Sequence, residues 1–199
     1  MRLRQVLVIS GMTLAACAGG INDGRLQGTV IEDPQPNPAF VLTDTRGEPY
    51  DFAARTEGKL TLLYFGYTNC PDICPVHLAQ IAEVLEQYPR LERETAVVFV
   101  SVDPQRDTPE VLRGFLDNFS TRFVGLTGSP EELGAAQVAA DVPPATITGQ
   151  GPDYTVDHAG WVIAYAPDGL GHAIYPFGTR QSVWSNDLQT LATITGESG

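Results

Sequence analysis

Methionine is almost missing from this chain. Of 199 residues only Met1 and Met12 are methionine, and both fall within the first sixteen. Without that segment no thioether is left, so any soft-metal site must be built from thiolate and imidazole. Basic residues are scarce as well, 12 against 24 acidic ones, for a formal charge of −12. So acidic a surface repels nucleic acid and anionic lipid headgroups, which excludes both as expected partners. Long apolar runs are also lacking: the N-terminal one, Val6 to Leu14, is too short to cross a bilayer. There is no internal repeat and no low-complexity segment. Cysteine is limited to Cys17, Cys70 and Cys74, and histidine to His77, His158 and His172.

The N-terminus reads as an export signal. Arg2 and Arg4 supply a positive n-region, the short apolar core follows, and Leu14-Ala15-Ala16 places small residues before Cys17. That ending resembles the lipobox of bacterial lipoproteins, which implies cleavage after residue 16 and lipidation of Cys17. On this reading residues 1–16 are the signal peptide and residues 17–38 are the lipidated N-terminus with a flexible tether. Residues 39–199 then form one domain. Loss of Arg2 and Arg4 leaves ten basic residues against 24 acidic ones, a charge of −14. The expected location is a lipid-anchored protein facing the periplasm from the inner membrane.

An exported compartment is oxidising, and two remaining cysteines in a secreted domain would ordinarily form a structural disulfide. Cys70 and Cys74 argue otherwise. A bridge closing so short a loop constrains the unfolded chain very little. Four residues rise about 6 Å along a helix, inside the roughly 4.4–6.8 Å Cα separation that a disulfide allows. The pair can therefore form a redox disulfide or hold a soft metal between two thiolates.

Hydrophobic periodicity alternates between strand and helix. Phe40–Leu42 predicts a short strand, and Leu60–Phe65 and Ala96–Val102 are continuous apolar runs of buried central strands. Pro75–Tyr88 carries a helical stripe ended by Pro89. Thr108 caps a helix running to about Asn118, with proline at its first position. Phe123–Leu126 predicts a strand and Pro130–Val138 a helix. Trp161–Tyr165 and Ala173–Tyr175, around Pro167-Asp-Gly169, predict a hairpin, and Ser182–Leu191 a last helix. The fold class is α/β, a mixed central sheet with helices on both faces and a C-terminal hairpin plus helix.

Strand, cysteine loop, helix is where a thioredoxin-like fold keeps a reactive pair. Cys74, at the start of its helix, is expected to have its thiolate favoured by unpaired N–H groups and the positive dipole end. Asp72, between the cysteines, partly opposes this. Two thiolates do not fill a coordination shell. His77 shares a helix face with Cys74, His158 precedes the Trp161 strand, and His172 sits in the hairpin; spacing alone does not choose among them. Asp103-Pro-Gln-Arg-Asp107 follows a strand at the end where α/β sites collect. It reads as a supporting or docking loop around a metal, or as turn chemistry before a helix. A Pro-x-x-x-Thr-x-x-Cys peroxidase motif is absent, since Leu63 and Tyr67 stand at the corresponding positions.

Three separated blocks, Phe65-Gly-Tyr-Thr-Asn-Cys-Pro-Asp-Ile-Cys-Pro75, Val102–Glu110, and Val156-Asp-His158 with Pro167-Asp-Gly169, resemble the Sco/SenC copper-chaperone family. The resemblance runs from about Phe40 to the C-terminal helix. It implies a thioredoxin-like, membrane-tethered domain serving assembly of the dinuclear copper site of cytochrome c oxidase. Its metal ligands fall on Cys70, Cys74 and His158; from their positions in this sequence, Asp72, Asp103, Asp107 and His77 are candidates for supporting groups around them. It further implies Cu(I), and also Cu(II), as cargo. The implied partners are the oxidase's copper-bearing subunit and a copper donor protein. The alternative is a thiol–disulfide oxidoreductase, with Cys70 and Cys74 as a redox disulfide reducing that subunit's cysteines before metallation. A structural zinc site would need a fourth ligand such as His77.

Overall fold

The computed structural model describes residues 25–149, 151 and 154–196. The expected signal peptide, the expected lipidation at Cys17 and the first part of the expected tether lie outside the described residues. The chain runs β1 (Thr29–Val30), β2 (Val41–Asp44), β3 (Pro49–Asp51), α1 (Phe52–Thr56), β4 (Leu60–Gly66) and α2 (Ile73–Gln87). It continues through α3 (Pro89–Glu94), β5 (Thr95–Ser101), α4 (Pro109–Leu116), β6 (Val124–Thr127) and α5 (Pro130–Ala139). A small hairpin of β7 (Thr146–Thr148) and β8 (Thr155–Asp157) precedes β9 (Trp161–Tyr165), β10 (Gly171–Pro176) and α6 (Gln181–Leu191).

Eight strands form one mixed sheet in the order β1-β10-β9-β4-β5-β6-β2-β3. The parallel strands β4, β5 and β6 occupy its middle, and the flanking strands run antiparallel to their neighbours. The two continuously apolar runs are β4 and β5, where covering on both faces removes any need for alternation. Tyr64 and Phe99 are paired across these strands and so share a face. His77 of α2 and Phe115 of α4 pack against them, and Trp184 of α6 meets His77 and Tyr175. Tyr165 pairs with Thr61 and points to the opposite face, where Phe52 of α1 meets its ring edge-on at 6.2 Å. Helices therefore cover both faces.

Several elements differ from the expectation. Pro89 does end α2, and it also opens α3 as its first residue, because a missing N–H is tolerated in a first turn. The short elements β1, β3, α1, β7 and β8 carry too few residues to show a period. Thr108 caps α4 by accepting from the Val111 N–H, and Ser129 with Glu132 makes a full capping box on α5. The register brings the carboxyl ends of β4 and β5 and the start of β9 to one edge of the sheet. Three connections meet there: residues 67–72, residues 102–108 and residues 158–160.

Candidate metal centre

Gly66 ends β4 because nothing larger fits. A Cβ there would lie 2.7 Å from the Phe99 ring and 2.9 Å from Cys74 Sγ. Behind it, Tyr64 donates its hydroxyl hydrogen to Cys74 Sγ at 3.3 Å. Cys74 is fully buried, whereas Cys70 keeps 8% of its surface exposed. Neither is in a disulfide. The ligand atoms of Cys70, Cys74 and His158 all lie within 4.8 Å of one another. Among the described residues this is the one such cluster of metal-ligating side chains.

The electrostatics of the pair reverse one expectation. Cys74 occupies the second position of α2, and its N–H points back at Cys70 Sγ, 3.4 Å away. The helix terminus therefore serves Cys70, not Cys74. The hydrogen bond from the Cys74 thiol pulls Cys70 down to about 4, against burial, with help from His158 and the backbone of Cys74 and Asp72. The same hydrogen bond and complete burial push Cys74 up. One proton is thus shared asymmetrically: Cys70 is the thiolate and Cys74 the thiol.

The remaining candidates separate. The Asp72 side chain is exposed and caps nothing, so the carboxylate stands outside the site while its backbone supports Cys70. His77 is buried, stacked between Tyr64 at 5.3 Å and Phe177 at 6.2 Å, with Trp184 edge-on at 6.0 Å. Neither of its ring nitrogens has a hydrogen-bond partner, and it is not part of the ligand cluster. This removes the fourth ligand that a structural zinc site requires. His172 is buried in the hairpin against Asp168, 2.8 Å away. His158 is half-buried; its Nδ1 lies 3.0 Å from the Ala159 carbonyl oxygen, which leaves Nε2 for the sulfurs.

The loop after β5 joins the two ligand-bearing segments. Asp107, buried, accepts from the Thr68 N–H at 2.9 Å, the Thr68 hydroxyl at 2.6 Å and the Ser101 hydroxyl at 2.6 Å. That fixes the cysteine loop. Asp103, fully buried, pairs with the Arg106 guanidinium and accepts from the Tyr154 hydroxyl. Arg106 Nη1 donates to the Tyr154 carbonyl at 3.1 Å, and the guanidinium lies 3.8 Å over the Tyr154 ring. The other side of Arg106 faces Tyr67 at 5.7 Å, and Tyr67 meets His158 edge-on at 5.4 Å. Sequence reasoning singled out the Asp103–Asp107 loop and missed Gly66, Tyr64, Tyr67 and Tyr154. Gly66 and Tyr67 stand inside the Phe65–Pro75 motif, at positions with no ligand chemistry of their own, and Tyr154 stands two residues before the Val156–His158 motif.

The SCO1/SenC family model matches residues 29–193. The chain belongs to the SCO1/SenC family. It is 35% identical over 132 residues to the SCO2-like protein of Rickettsia felis, covering 65% of this chain and 64% of that relative. It resembles the structure of Bradyrhizobium japonicum ScoI with copper bound, with a TM-score of 0.70 and 32% identity, over 79% of this chain and 99% of that one. The solution structure of apo Sco1 from Thermus thermophilus gives a TM-score of 0.74 and 33% identity, over 83% and 96% of the two chains. The thioredoxin-like fold expected from the sequence is that of these family members. No helix among the described residues is long and apolar enough to cross a membrane.

Proposed function

We propose that this chain is a copper metallochaperone that binds copper through Cys70, Cys74 and His158. Its cargo is delivered to the dinuclear copper site of cytochrome c oxidase. The observation that carries this reading is the convergence of two sulfurs and one imidazole within 4.8 Å at the end of the sheet. Two thiolates and an imidazole are a donor set that suits soft Cu(I). The copper-bound B. japonicum relative supports copper as the metal. Cys70, the less deeply buried of the two sulfurs, is the one an incoming acceptor would exchange with first. A diacylglyceryl group on Cys17 would hold the domain at the periplasmic face of the inner membrane. A copper titration of the reduced protein tests the reading. Replacing any one of Cys70, Cys74 or His158 should weaken binding at least tenfold, and full affinity in all three variants would sink it.

A second reading rests on the thiolate–thiol pair itself. Cys70 as thiolate beside the buried Cys74 thiol is the arrangement of a dithiol reductant. In that role Cys70 attacks a disulfide of the oxidase subunit, and Cys74 then displaces the mixed disulfide. The pair becomes a disulfide and gives up two electrons and the single Cys74 proton. The partner's two sulfurs leave as thiolates, one taking that proton and the other a proton from solvent. His158 is not needed for this chemistry. His158→Ala separates the readings: a chaperone loses copper and oxidase assembly, whereas a reductant keeps its thiol exchange.

A further inference from the structure

We propose that Tyr154 is a latch that holds the His158-bearing hairpin to the Asp103–Arg106 loop. It would set how fast His158 leaves a bound metal. The proposal rests on His158 being a ligand, as argued above.

β7 and β8 form a two-stranded sheet of their own, outside the eight-stranded one. Every residue of β7 is exposed, and in β8 only Val156 is buried. An isolated hairpin of this size is marginal in water, so side chains must keep it in place. Tyr154 stands immediately before β8 and contributes three contacts: its hydroxyl to Asp103, its carbonyl to Arg106 Nη1, and its ring under the guanidinium. The receiving end does not move easily, because Asp103 is fully buried and already paired with Arg106. His158 follows Tyr154 by four residues, and β8 is extended, so displacement of Tyr154 carries along the strand to His158. A second path runs through packed groups, from Arg106 to the Tyr67 ring and from that ring to the imidazole.

Transfer by ligand exchange requires one protein ligand to let go first. Cys70 and Cys74 are one turn apart at a helix terminus anchored in the core. His158 sits on the detachable piece. Tyr154 is thus a positioning residue: it touches no metal and governs the ligand that does. Loss of a hydrogen bond to a charged acceptor is worth about tenfold in an equilibrium or rate.

The test uses full-length protein loaded with Cu(I) and mixed with excess bathocuproine disulfonate in a stopped-flow instrument. Tyr154→Phe keeps the ring and removes the hydroxyl, and it should release copper about tenfold faster. Arg106→Lys, which keeps the charge and loses the fork, should do the same. In apo protein, hydrogen exchange at residues 155–158 should rise in both variants while residues 60–66 stay protected. This readout distinguishes the latch from a general loss of stability. The decisive arm is the double variant. In a His158→Ala background, Tyr154→Phe should add nothing, because the latch acts only through His158. Unchanged release in Tyr154→Phe, or an equal acceleration in the His158→Ala background, overturns the latch. If His158→Ala alone releases copper at the wild-type rate, His158 is no ligand, and the reading beneath the proposal fails instead.

Discussion

The Tyr64 hydroxyl is 3.3 Å from Cys74 Sγ and donates to it from within the core, where no solvent reaches the sulfur. Cys74 is protonated in the metal-free protein and must become a thiolate to ligate copper. Burial and the neighbouring Cys70 thiolate oppose that ionisation, and the Tyr64 hydrogen bond favours it. Tyr64→Phe keeps the packing against Phe99 and His77 and removes only the donor. Copper affinity should fall about tenfold, with little change in the affinity of a Cys74→Ala background. Competitive titration of the four proteins in this cycle measures the coupling, and a coupling of zero would mean the hydroxyl is idle.

Cys70 and Cys74 should react very differently with an alkylating reagent. With Cys70 pulled down to about 4, its thiolate population is nearly constant from pH 8 to pH 5. Iodoacetamide labelling of the folded protein should therefore go to Cys70, at a rate that stays flat across this window. The rate should drop only as the pH approaches 4, whereas an unperturbed thiol slows tenfold per pH unit below its pKa. Peptide mapping by mass spectrometry identifies the labelled residue. Preferential labelling of Cys74 would restore the helix-terminus assignment that the geometry reverses.

Gly66→Ala should damage the site without touching a ligand. The added methyl would sit 2.9 Å from Cys74 Sγ and 2.7 Å from a Phe99 ring carbon, and Phe99 is itself fully buried. Neither neighbour can give way without disturbing β5 or the start of α2. A core overpacked by one methyl costs about 1–3 kcal/mol, which chemical denaturation should detect. The copper-bound absorption spectrum should change as well, because the sulfur is displaced.

Asp187, fully buried in α6, gathers the start of the described chain. It accepts from the Gln27 N–H at 3.0 Å, the Gly28 N–H at 2.8 Å, the Tyr175 hydroxyl at 3.0 Å and the Asn186 amide at 2.7 Å. Asp187→Ala would leave these donors unpaired, at a cost of about 3 kcal/mol. The first segment to open should be residues 27–31, because β1 has only two residues in the sheet. Hydrogen exchange should show those amides exposed while β4 and β5 remain protected.

The parts of this molecule that could be read from its sequence are those whose signal is local. Leu60–Phe65 and Ala96–Val102 announce buried parallel strands because they lack alternation, and Thr108-Pro109 announces a helix start by capping chemistry. The cysteines stand out by their spacing and place before a helix, His158 is chosen among the histidines by motif resemblance, and the fold brings the three together. What escaped depends on contacts made far along the chain. Tyr154 and Asp103 are 51 residues apart. The proton asymmetry of the cysteines depends on where the Cys74 N–H points, which spacing does not state. The hairpin of β7 and β8 has three residues per strand, too few for a period to stand out.

His77 illustrates a residue whose chemistry looks like a ligand's and whose surroundings assign it to the core. It is completely buried among Tyr64, Phe177 and Trp184, and burial pushes its pKa down from 6.5 to about 4. The folded state thus holds the imidazole neutral where the unfolded chain would protonate it. Between pH 6.5 and 4 the unfolded state binds more protons, so stability rises with pH there. The contribution is fully present above pH 6.5 and is lost as the pH falls toward 4. From the shift, lowering the pH from 7 to 5 should cost about 2 kcal/mol through this group alone. His77→Phe fills the same aromatic stack with no ionisable ring and should remove that part of the acid dependence. Urea denaturation of both proteins at the two pH values measures the difference. Copper affinity at neutral pH should be unchanged in the variant, since His77 lies outside the ligand cluster.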